Sequence, residues 1–365
     1  MFTVGVEEEY HLVDAETMAM RSMAAVVDAA RDSMDDASAE ISTAQLEVAT
    51  PVCTTLDEVR GELVRLRAQA GAVAARHGCR ILAMATHPFA TWDDQELSAG
   101  ARYVGLFERW GVLALQQLIT GCHVHVAVDD PDVLIGVLDR VRPWLPTLVA
   151  LTASSPFWEG TDTGYASYRT MWFDRWPTAG LPGPLGSRQV FDELVTSMVA
   201  TGAIDDATHL YWDARPSVRY PTLEFRCGDV SPSIDDAVLY AALARSLTRT
   251  LVAEVVAGAA PPDVRPEVLR VARWRAARHG LSEQLVDPAT WQLAPAPTVV
   301  DRLLARLRPD LEAHGEWDEV DGRVRQVVAE GGAAARYRAL MARTGDLTEV
   351  TRAAVAETAQ ATAGS

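Results

Sequence analysis

The chain of 365 residues carries 50 acidic and 33 basic side chains, which gives a formal net charge of −17, and 48% of its residues are apolar. This composition is typical of a globular protein rather than a disordered or fibrous one, and the length allows one large domain or two ordinary ones. The negative charge argues against general nucleic-acid binding, which requires a basic surface. Solubility is the simplest explanation of the acidic excess, although acids collected in a pocket would suit a metal ion.

Cysteine spacing and hydropathy indicate the cellular compartment of the protein. The four cysteines form no CxxC pair, which argues against a disulfide framework or a structural zinc site. No apolar stretch reaches the ~20 residues needed to span a bilayer, and no signal peptide is recognisable. We therefore expect a cytoplasmic protein without membrane partners, in which Cys53, Cys122 and Cys227 are buried packing residues.

The first part of the chain mixes strands and helices without a regular alternation. Thr55 and Glu58 match a capping box at the start of a long amphipathic helix, and Gly78 is a natural stop. Pro143 and Pro146 must bend or interrupt a later helix. In chain order the pattern predicts strands at Thr3–Val13 and Ser42–Thr50, a helix at Thr54–His77, a strand at Arg80–Ala85, a helix at Gly100–Leu118, a strand at Cys122–Val128 and a helix at Pro131–Ala153.

The second part begins with Ser154–Ser187, which is rich in glycine, proline and aromatic residues and predicts a long irregular loop with a binding or lid role. One more strand is predicted at Pro221–Cys227. Almost everything from Ser233 onward is helical, and the end, Ala359–Ser365, is expected to fray. We predict a single α+β domain over residues 1–365, with a sheet-bearing part at about 1–230 and a helical part at about 233–358.

The strands share an unusual polar face. Successive strand residues point to opposite faces of a sheet, so each of four strands has an apolar face and a polar one. A half-exposed sheet alternates in the same way, but its solvated face usually carries lysine, threonine and serine. Here the polar faces carry instead Glu7, Glu9 and His11; Gln45 and Glu47; His123 and His125; and Glu224 and Arg226.

Carboxylates gathered on one surface repel each other and need a cation. Oxygen ligands with one imidazole favour Mg²⁺ or Mn²⁺ over zinc, and such ions commonly bind nucleotide phosphates. The chain has no GxxxxGK[ST] motif. The pattern therefore indicates phosphoryl chemistry without a P-loop.

Several motifs resemble the carboxylate-amine ligase family, the type 2 glutamate–cysteine ligases. They follow in order over nearly the whole chain, which makes the resemblance specific. The motifs are GVEEEY at 5–10, QLEVATP at 45–51, THP at 86–88, GCHVHV at 121–126, LTASSPFW at 151–158, DTGYASYR at 162–169, PTLEFR at 221–226 and EGGAAAR near 330.

This resemblance implies a glutamine-synthetase-like fold, with a curved, mainly antiparallel sheet whose concave face is the active site and helices on its convex face. It also implies that ATP phosphorylates the γ-carboxylate of glutamate and that an amine such as cysteine displaces phosphate to form an amide. The identity of the amine stays open. A phosphotransferase on the same fold and a non-catalytic nucleotide-binding relative are the alternatives.

The resemblance also assigns roles to residues. Arg226 would neutralise the transferring phosphoryl group, and Glu224 would bridge metals. Arg169 and Tyr165 in the long loop would bind the substrate. Asp229 is expected only to cap the following turn. The expected metal ligands are Glu7, Glu9, Glu47, His123 and Glu224, with Glu40 as a weaker candidate. His125 is expected to contact the ligands rather than the metal ion itself.

Three further expectations concern structure. Glu8 has the apolar parity of its strand and is expected to be structural, paired with a base. Packing is the default role of Trp158, Trp172 and Trp176, with adenine stacking as the alternative. The sheet edges and the helical part offer surfaces for a homodimer.

Overall fold

An antiparallel sheet of seven strands organises the protein. The computed structural model describes residues 2–99 and 101–360, and the sheet order is β2-β3-β1-β5-β9-β8, with β4 paired to the second half of β1. Two short hairpins, β6–β7 and β10–β11, stand apart from it. The strands are β1 (Val4–Asp14), β2 (Ala37–Ala39), β3 (Gln45–Ala49), β4 (Cys79–Leu82), β5 (Gly121–Ala127), β6 (Phe157–Trp158), β7 (Thr161–Asp162), β8 (Ala214–Pro216), β9 (Thr222–Asp229), β10 (Gln284–Val286) and β11 (Leu293–Pro295).

Helices cover one face of this sheet. Among the described helices, none combines the length and the apolar character needed to cross a membrane. They are α1 (Ala24–Ser33), α2 (Leu56–Arg76), α3 (Ala101–Trp110), α4 (Val112–Leu115), α5 (Pro131–Val141), α6 (Leu145–Thr152), α7 (Tyr168–Phe173), α8 (Arg188–Ala200), α9 (Ile234–Val256), α10 (Pro266–His279), α11 (Ala296–Ala313), α12 (Trp317–Glu330), α13 (Gly332–Thr344) and α14 (Leu347–Gln360).

The main core lies between the sheet and helices α2, α5, α6 and α9. Strand residues Val6, Val124 and Phe225 join Leu63 of α2 and Leu247 of α9 in one buried cluster. Burial of such apolar side chains stabilises each element by roughly 1.5–3 kcal/mol per residue. The opposite face of the sheet is left open, and side chains from both edge strands, β2 and β8, line a single cavity there. The sheet is therefore curved, and its concave face borders the cavity, which residues of α3 and α7 also line.

Most of the predicted elements are confirmed, with small shifts at their ends. Helix α2 has the predicted capping box, in which the Thr55 hydroxyl accepts from the backbone N–H of Glu58. The predicted helix at Pro131–Ala153 is interrupted as expected, because α5 ends before a 3₁₀ turn that contains Pro143. The α+β class is confirmed.

Three predictions of secondary structure need correction, and two helices were missed. The loop at Ser154–Ser187 contains the β6–β7 hairpin and α7. The helical part contains the β10–β11 hairpin, which is too short to show a periodic pattern. The helix expected at Gly100–Leu118 is divided at Gly111, whose φ of 59° ends the first segment. Helices α1 and α8 were not predicted. Gly100 and residues 361–365 of the predicted frayed end lie outside the described residues, whereas Ala359 and Gln360 belong to α14.

Candidate active site

A cavity of about 700 Å³ occupies the concave face of the sheet. Its floor consists of alternate strand residues, as the period of two requires. The antiparallel register sets Glu7 beside His123 and Glu9 beside Glu47. The structure therefore brings the predicted polar faces of four strands together in one place. The strand residues that line it include Glu7, Glu9, Gln45, Glu47, Ala49, His123, His125, Glu224 and Arg226.

The first group of possible metal ligands combines Glu7, His125 and Glu224. One ligand atom from each lies within 4.8 Å of the others. His125 Nε2 is 3.3 Å from Glu7 Oε1, and its Nδ1 is 2.9 Å from the Thr222 hydroxyl. Burial would raise the pKa of Glu7, but hydrogen bonds from His123 and His125 outweigh it and hold that pKa well below its usual value. Glu7 is therefore ionised and ready to bind a cation.

His123 lies between the two groups of acids. Its Nδ1 is 3.3 Å from Glu7 Oε2, and its Nε2 is 3.7 Å from Glu9 Oε1. Burial and the nearby Arg226 lower the pKa of His123 to about 4, so the ring is neutral at pH 7. His125 thus shares a ligand group with two acids, while His123 lies between the two groups. The roles of both imidazoles toward a metal ion stay predictions.

The second group consists of Glu9, Glu40 and Glu47, again with one oxygen from each within 4.8 Å of the others. Burial and the charge of Glu40 raise the pKa of Glu9 to about 8. Burial, Glu7 and Glu9 raise the pKa of Glu47 to about 7. Three carboxylates this close are mutually repulsive, and a divalent cation would relieve the repulsion. Glu40, the weaker candidate for a metal ligand, thus lies in one group with Glu9 and Glu47.

Two arginines neutralise Glu224. Arg226 donates to Glu224 Oε1, and Arg215 donates from Nε to Oε2 at 2.8 Å and from Nη2 to Oε1 at 3.2 Å. Despite burial, these guanidinium groups hold the pKa of Glu224 far below its usual value. Arg215 was not predicted. It lies directly opposite Glu224 in the β8–β9 register, but β8 has only three residues and its pattern cannot be recognised in the sequence.

Arg169 reaches the floor of the cavity beside the second group. Its side chain is 3% exposed, and its guanidinium lies over the backbone of Gly121. A Cβ atom at Gly121 would be 2.3 Å from Arg169 Nη2 and 3.0 Å from His123 Nε2. The Gly121 N–H also donates to Glu9 Oε2 at 2.6 Å. Glycine at this position therefore allows the arginine, the imidazole and the carboxylate to approach one another.

Asp229 holds the segment that carries Arg169. Its Oδ2 accepts from the backbone N–H of Ser154 at 2.9 Å and from the Ser155 hydroxyl at 2.7 Å, while its Oδ1 accepts from the Ser167 hydroxyl at 2.9 Å. All four of these residues are buried. The carboxylate fastens both ends of the segment to β9 instead of capping the following turn.

The structure places Tyr165 away from the cavity, so its predicted role in substrate binding is corrected. Its hydroxyl accepts from Trp274 Nε1 at 3.2 Å, and the guanidinium of Arg278 lies 5.3 Å from its ring centre. Tyr165 is four residues before Arg169, but in a segment without regular periodicity the sequence cannot show which side chain points inward.

Two other polar residues of β1 are structural. Glu8, as predicted, has a basic partner: Arg67 Nη2 is 2.5 Å from Glu8 Oε1, and both side chains are fully buried. His11 has the parity of Glu7 and Glu9 but lies outside the cavity, with its ring 6.2 Å from that of His87. Burial lowers the pKa of His11 to about 3 and that of His87 to about 4.

The tryptophans and cysteines mainly pack. Trp158 and Trp172 pack in a tilted arrangement with ring centres 4.5 Å apart, whereas Trp176 forms part of the cavity wall. The thiols of Cys53, Cys122 and Cys227 are buried, as predicted, and the thiol of Cys79 is buried as well; all four are free.

Comparison with known proteins then identifies the family. The family model for glutamate-cysteine ligase family 2 matches residues 3–356. The chain belongs to this family. It is 43% identical to a Frankia alni protein provisionally named glutamate–cysteine ligase 2-2, over 98% of this chain and 97% of the relative. It is 42% identical to a Streptomyces coelicolor protein provisionally named glutamate–cysteine ligase 2, over 98% of this chain and 99% of that protein.

Solved structures share the fold of this glutamate-cysteine ligase family 2 chain at low identity. A glutamate–cysteine ligase from Francisella tularensis, solved in complex with AMP, matches with a TM-score of 0.72 and 14% identity, over 99% of this chain and 93% of that one. A bifunctional glutathione synthetase from Pasteurella multocida matches with a TM-score of 0.75 and 16% identity, over 99% of this chain and 52% of that one. The predicted fold class is thereby confirmed.

Proposed function

We propose that the protein is an ADP-forming ligase that joins the γ-carboxylate of glutamate to the amino group of a second substrate, such as cysteine, through an acyl phosphate. The observation that carries this proposal is the meeting of two acid groups and Arg226 in one cavity. A site that transfers a phosphoryl group needs this combination of cation ligands and a fixed positive charge. Membership in glutamate-cysteine ligase family 2 supports the same reaction.

The residues of the cavity fit Mg²⁺ or Mn²⁺. Burial and neighbouring carboxylates raise the pKa values of Glu9 and Glu47, and the nearby Arg226 offsets this only in part. A cation would relieve the remaining repulsion, and oxygen-rich sites suit hard cations. Glu9, Glu40 and Glu47 would hold one ion, and Glu7, His125 and Glu224 another, with His123 between them. A bound ion would supply positive charge beside the phosphates of ATP.

The protein's own residues then position the reactants. A γ-carboxylate oxygen of glutamate attacks the γ-phosphorus of ATP, the bond to the β-phosphate oxygen breaks and ADP leaves. Arg226, fixed by Glu224, would stabilise the charge of the phosphoryl group in transfer. Arg169 would bind a substrate carboxylate. The amine then attacks the acyl carbon, phosphate leaves, and a carboxylate of the concave face accepts the amine proton.

We also propose that the whole chain acts as one catalytic unit. Strand residues such as Val6 and Phe225 share a buried cluster with Leu247 and Leu304 of the helical part. Separation of the two parts would expose this shared core. The helical part therefore supports the convex face of the sheet whose concave face carries the site.

The direct test follows ADP release and product mass with MgATP, glutamate and a set of amines. We expect ADP only when both substrates are present, together with a condensed product. Glu224→Gln should abolish turnover, whereas Glu312→Gln on the exposed face of α11 should not. Near-normal ligation by Glu224→Gln would refute the assignment. A phosphorylated product without condensation would indicate a phosphotransferase, and nucleotide binding without ADP release would indicate a non-catalytic relative.

A further inference from the structure

The side chains on the cavity floor change along its length from acidic groups and imidazoles to amides and an apolar residue. On β5 and the residues before it, alternate side chains line the cavity, from Gln117 and Ile119 to His123 and His125. On β3, the lining side chains change in the same way, from the carboxylate of Glu47 at the acidic end to the amide of Gln45 at the other end. One end of the floor is therefore acidic, while the other carries amides and an apolar side chain. We call the second end the inner pocket; its floor is Gln45, Gln117 and Ile119.

An apolar wall faces this floor. It is formed by residues of one buried aromatic and aliphatic cluster that also line the cavity. The acidic end, in contrast, opens to solvent between exposed residues such as Arg31 and Tyr220. The wall of the inner pocket consists of Leu106, Phe173, Trp176 and Tyr211, together with the partly buried Ile41.

Several buried polar atoms of the inner pocket, and of Arg169 between it and the second group of acids, lack a hydrogen-bond partner among the described residues. No described residue provides a hydrogen-bond partner for Gln117 Nε2 and Oε1, Gln45 Oε1 or Arg169 Nε. The three side chains are only 4%, 2% and 3% exposed. Buried polar groups are almost always hydrogen-bonded in folded proteins. The three side chains line the cavity, so a small rotation of each would present two donors, one of them on a cation, and two acceptors to a ligand.

We propose that the inner pocket binds the acceptor substrate, and that this acceptor is an α-amino acid with an apolar side chain. Arg169 Nε and Gln117 Nε2 donate to its carboxylate, the two amide oxygens guide its amino group, and its side chain packs on Trp176 and Tyr211. Glutamate itself is a poor match for this wall, since most of its surface is polar. This inference rests on the proposed ligase function and specifies its open substrate.

The specificity test measures kcat/KM for acceptors with MgATP and glutamate held constant. We expect L-leucine and L-methionine to exceed glycine, L-aspartate and L-lysine by about tenfold or more, since each buried methylene contributes to discrimination. Isoamylamine, which is leucine without its carboxylate, should fall below L-leucine by a similar factor. A preference for charged amino acids, or for isoamylamine over L-leucine, would overturn the proposal.

Variants separate the acceptor from ATP. Gln117→Leu should raise KM for L-leucine about tenfold without changing KM for ATP, and Gln117→Glu should raise it further by repelling the carboxylate. Trp176→Ala should reduce the preference for L-leucine over glycine. Gln292→Leu, on an exposed turn, is the matched control. An effect of Gln117→Leu on KM for ATP alone would place the nucleotide in the pocket and refute the proposal.

A binding measurement keeps this inference separate from the ligase proposal. Equilibrium dialysis of radiolabelled L-leucine with the full protein and MgADP requires no turnover. Binding that Gln117→Glu weakens, in a protein that forms no condensed product, would support the inner pocket and contradict the ligase function. Absence of L-leucine binding, or binding that Gln117→Glu leaves unchanged, would refute the inner pocket whether or not ligation occurs.

Discussion

Replacement of Arg67 by methionine tests how the first strand is held beneath the site. Arg67 donates from Nε to Glu8 Oε2 at 2.9 Å and from Nη2 to Glu8 Oε1 at 2.5 Å. The Tyr10 hydroxyl donates to the same carboxylate at 2.6 Å. Arg67 also donates to the carbonyl of Ser231 at 2.8 Å and to that of Pro232, which lie between β9 and α9.

The magnitude follows from burial. Both charged side chains are fully buried, so Arg67→Met leaves the Glu8 carboxylate without a counter-charge and should cost about 3–5 kcal/mol of unfolding free energy. Glu8→Leu combined with Arg67→Met removes both charges and should be less destabilising than Arg67→Met alone. Some cost should remain, because the carbonyls of Ser231 and Pro232 lose a donor, at about 1–3 kcal/mol for each buried group.

Urea unfolding of the wild type, the two single variants and the double variant measures these differences. Arg65→Met is the matched control, since Arg65 lies on the same helix but is 37% exposed and pairs with Asp36 and Glu62. It should cost at most about 1 kcal/mol. A cost for Arg67→Met as small as that of the control, or a double variant less stable than Arg67→Met, would contradict the reasoning.

Three further predictions concern the site and its surroundings. Because a cation must displace the proton of Glu9, whose pKa is about 8, Mg²⁺ affinity measured by calorimetry should rise from pH 6.5 to pH 8.5; equal affinities would count against this site. Gly121→Ala should displace Arg169 and reduce kcat/KM about 100-fold while the unfolding midpoint changes little, and unchanged kinetics would show that the close approach is unimportant. The low pKa values of His11 and His87 mean that the unfolded chain, with histidine pKa values of about 6.5, binds protons first as the pH falls. Unfolding free energy should therefore decrease below about pH 6.5, and His11→Leu should reduce that slope by about 1.4 kcal/mol per pH unit; an unchanged slope between pH 6 and pH 4.5 would refute the neutral, buried imidazole.

The sequence predicted the floor of the site because a strand has a fixed period. In β1 and β3, the parity of each position is enough to separate Glu7, Glu9 and Glu47 from the core-facing Glu8. The basic partner of Glu8 could not be identified from the sequence, because Arg67 is 59 residues away and α2 has several arginines. Pairings over such distances depend on the tertiary fold and have no local signal.

Irregular segments were the least predictable. Arg169 and Tyr165 are both in a loop where no period shows which side chain points inward, and only the buried anchor at Asp229 decides it. Gln117 lies just before β5, where the strand pattern has not yet begun. Residues of this kind complete a site without belonging to the elements that make its floor recognisable.

The end of the described chain packs beside the first strands. Thr358 of α14 accepts from the backbone N–H of Ala83, a contact that spans 275 residues, and α14 shares a buried cluster with Val13, Leu82 and Phe157. During synthesis, β1 and β4 leave the ribosome long before α14 exists. The apolar side chains of this cluster are therefore covered only after α14 has been synthesised, so this part of the core is completed late in folding.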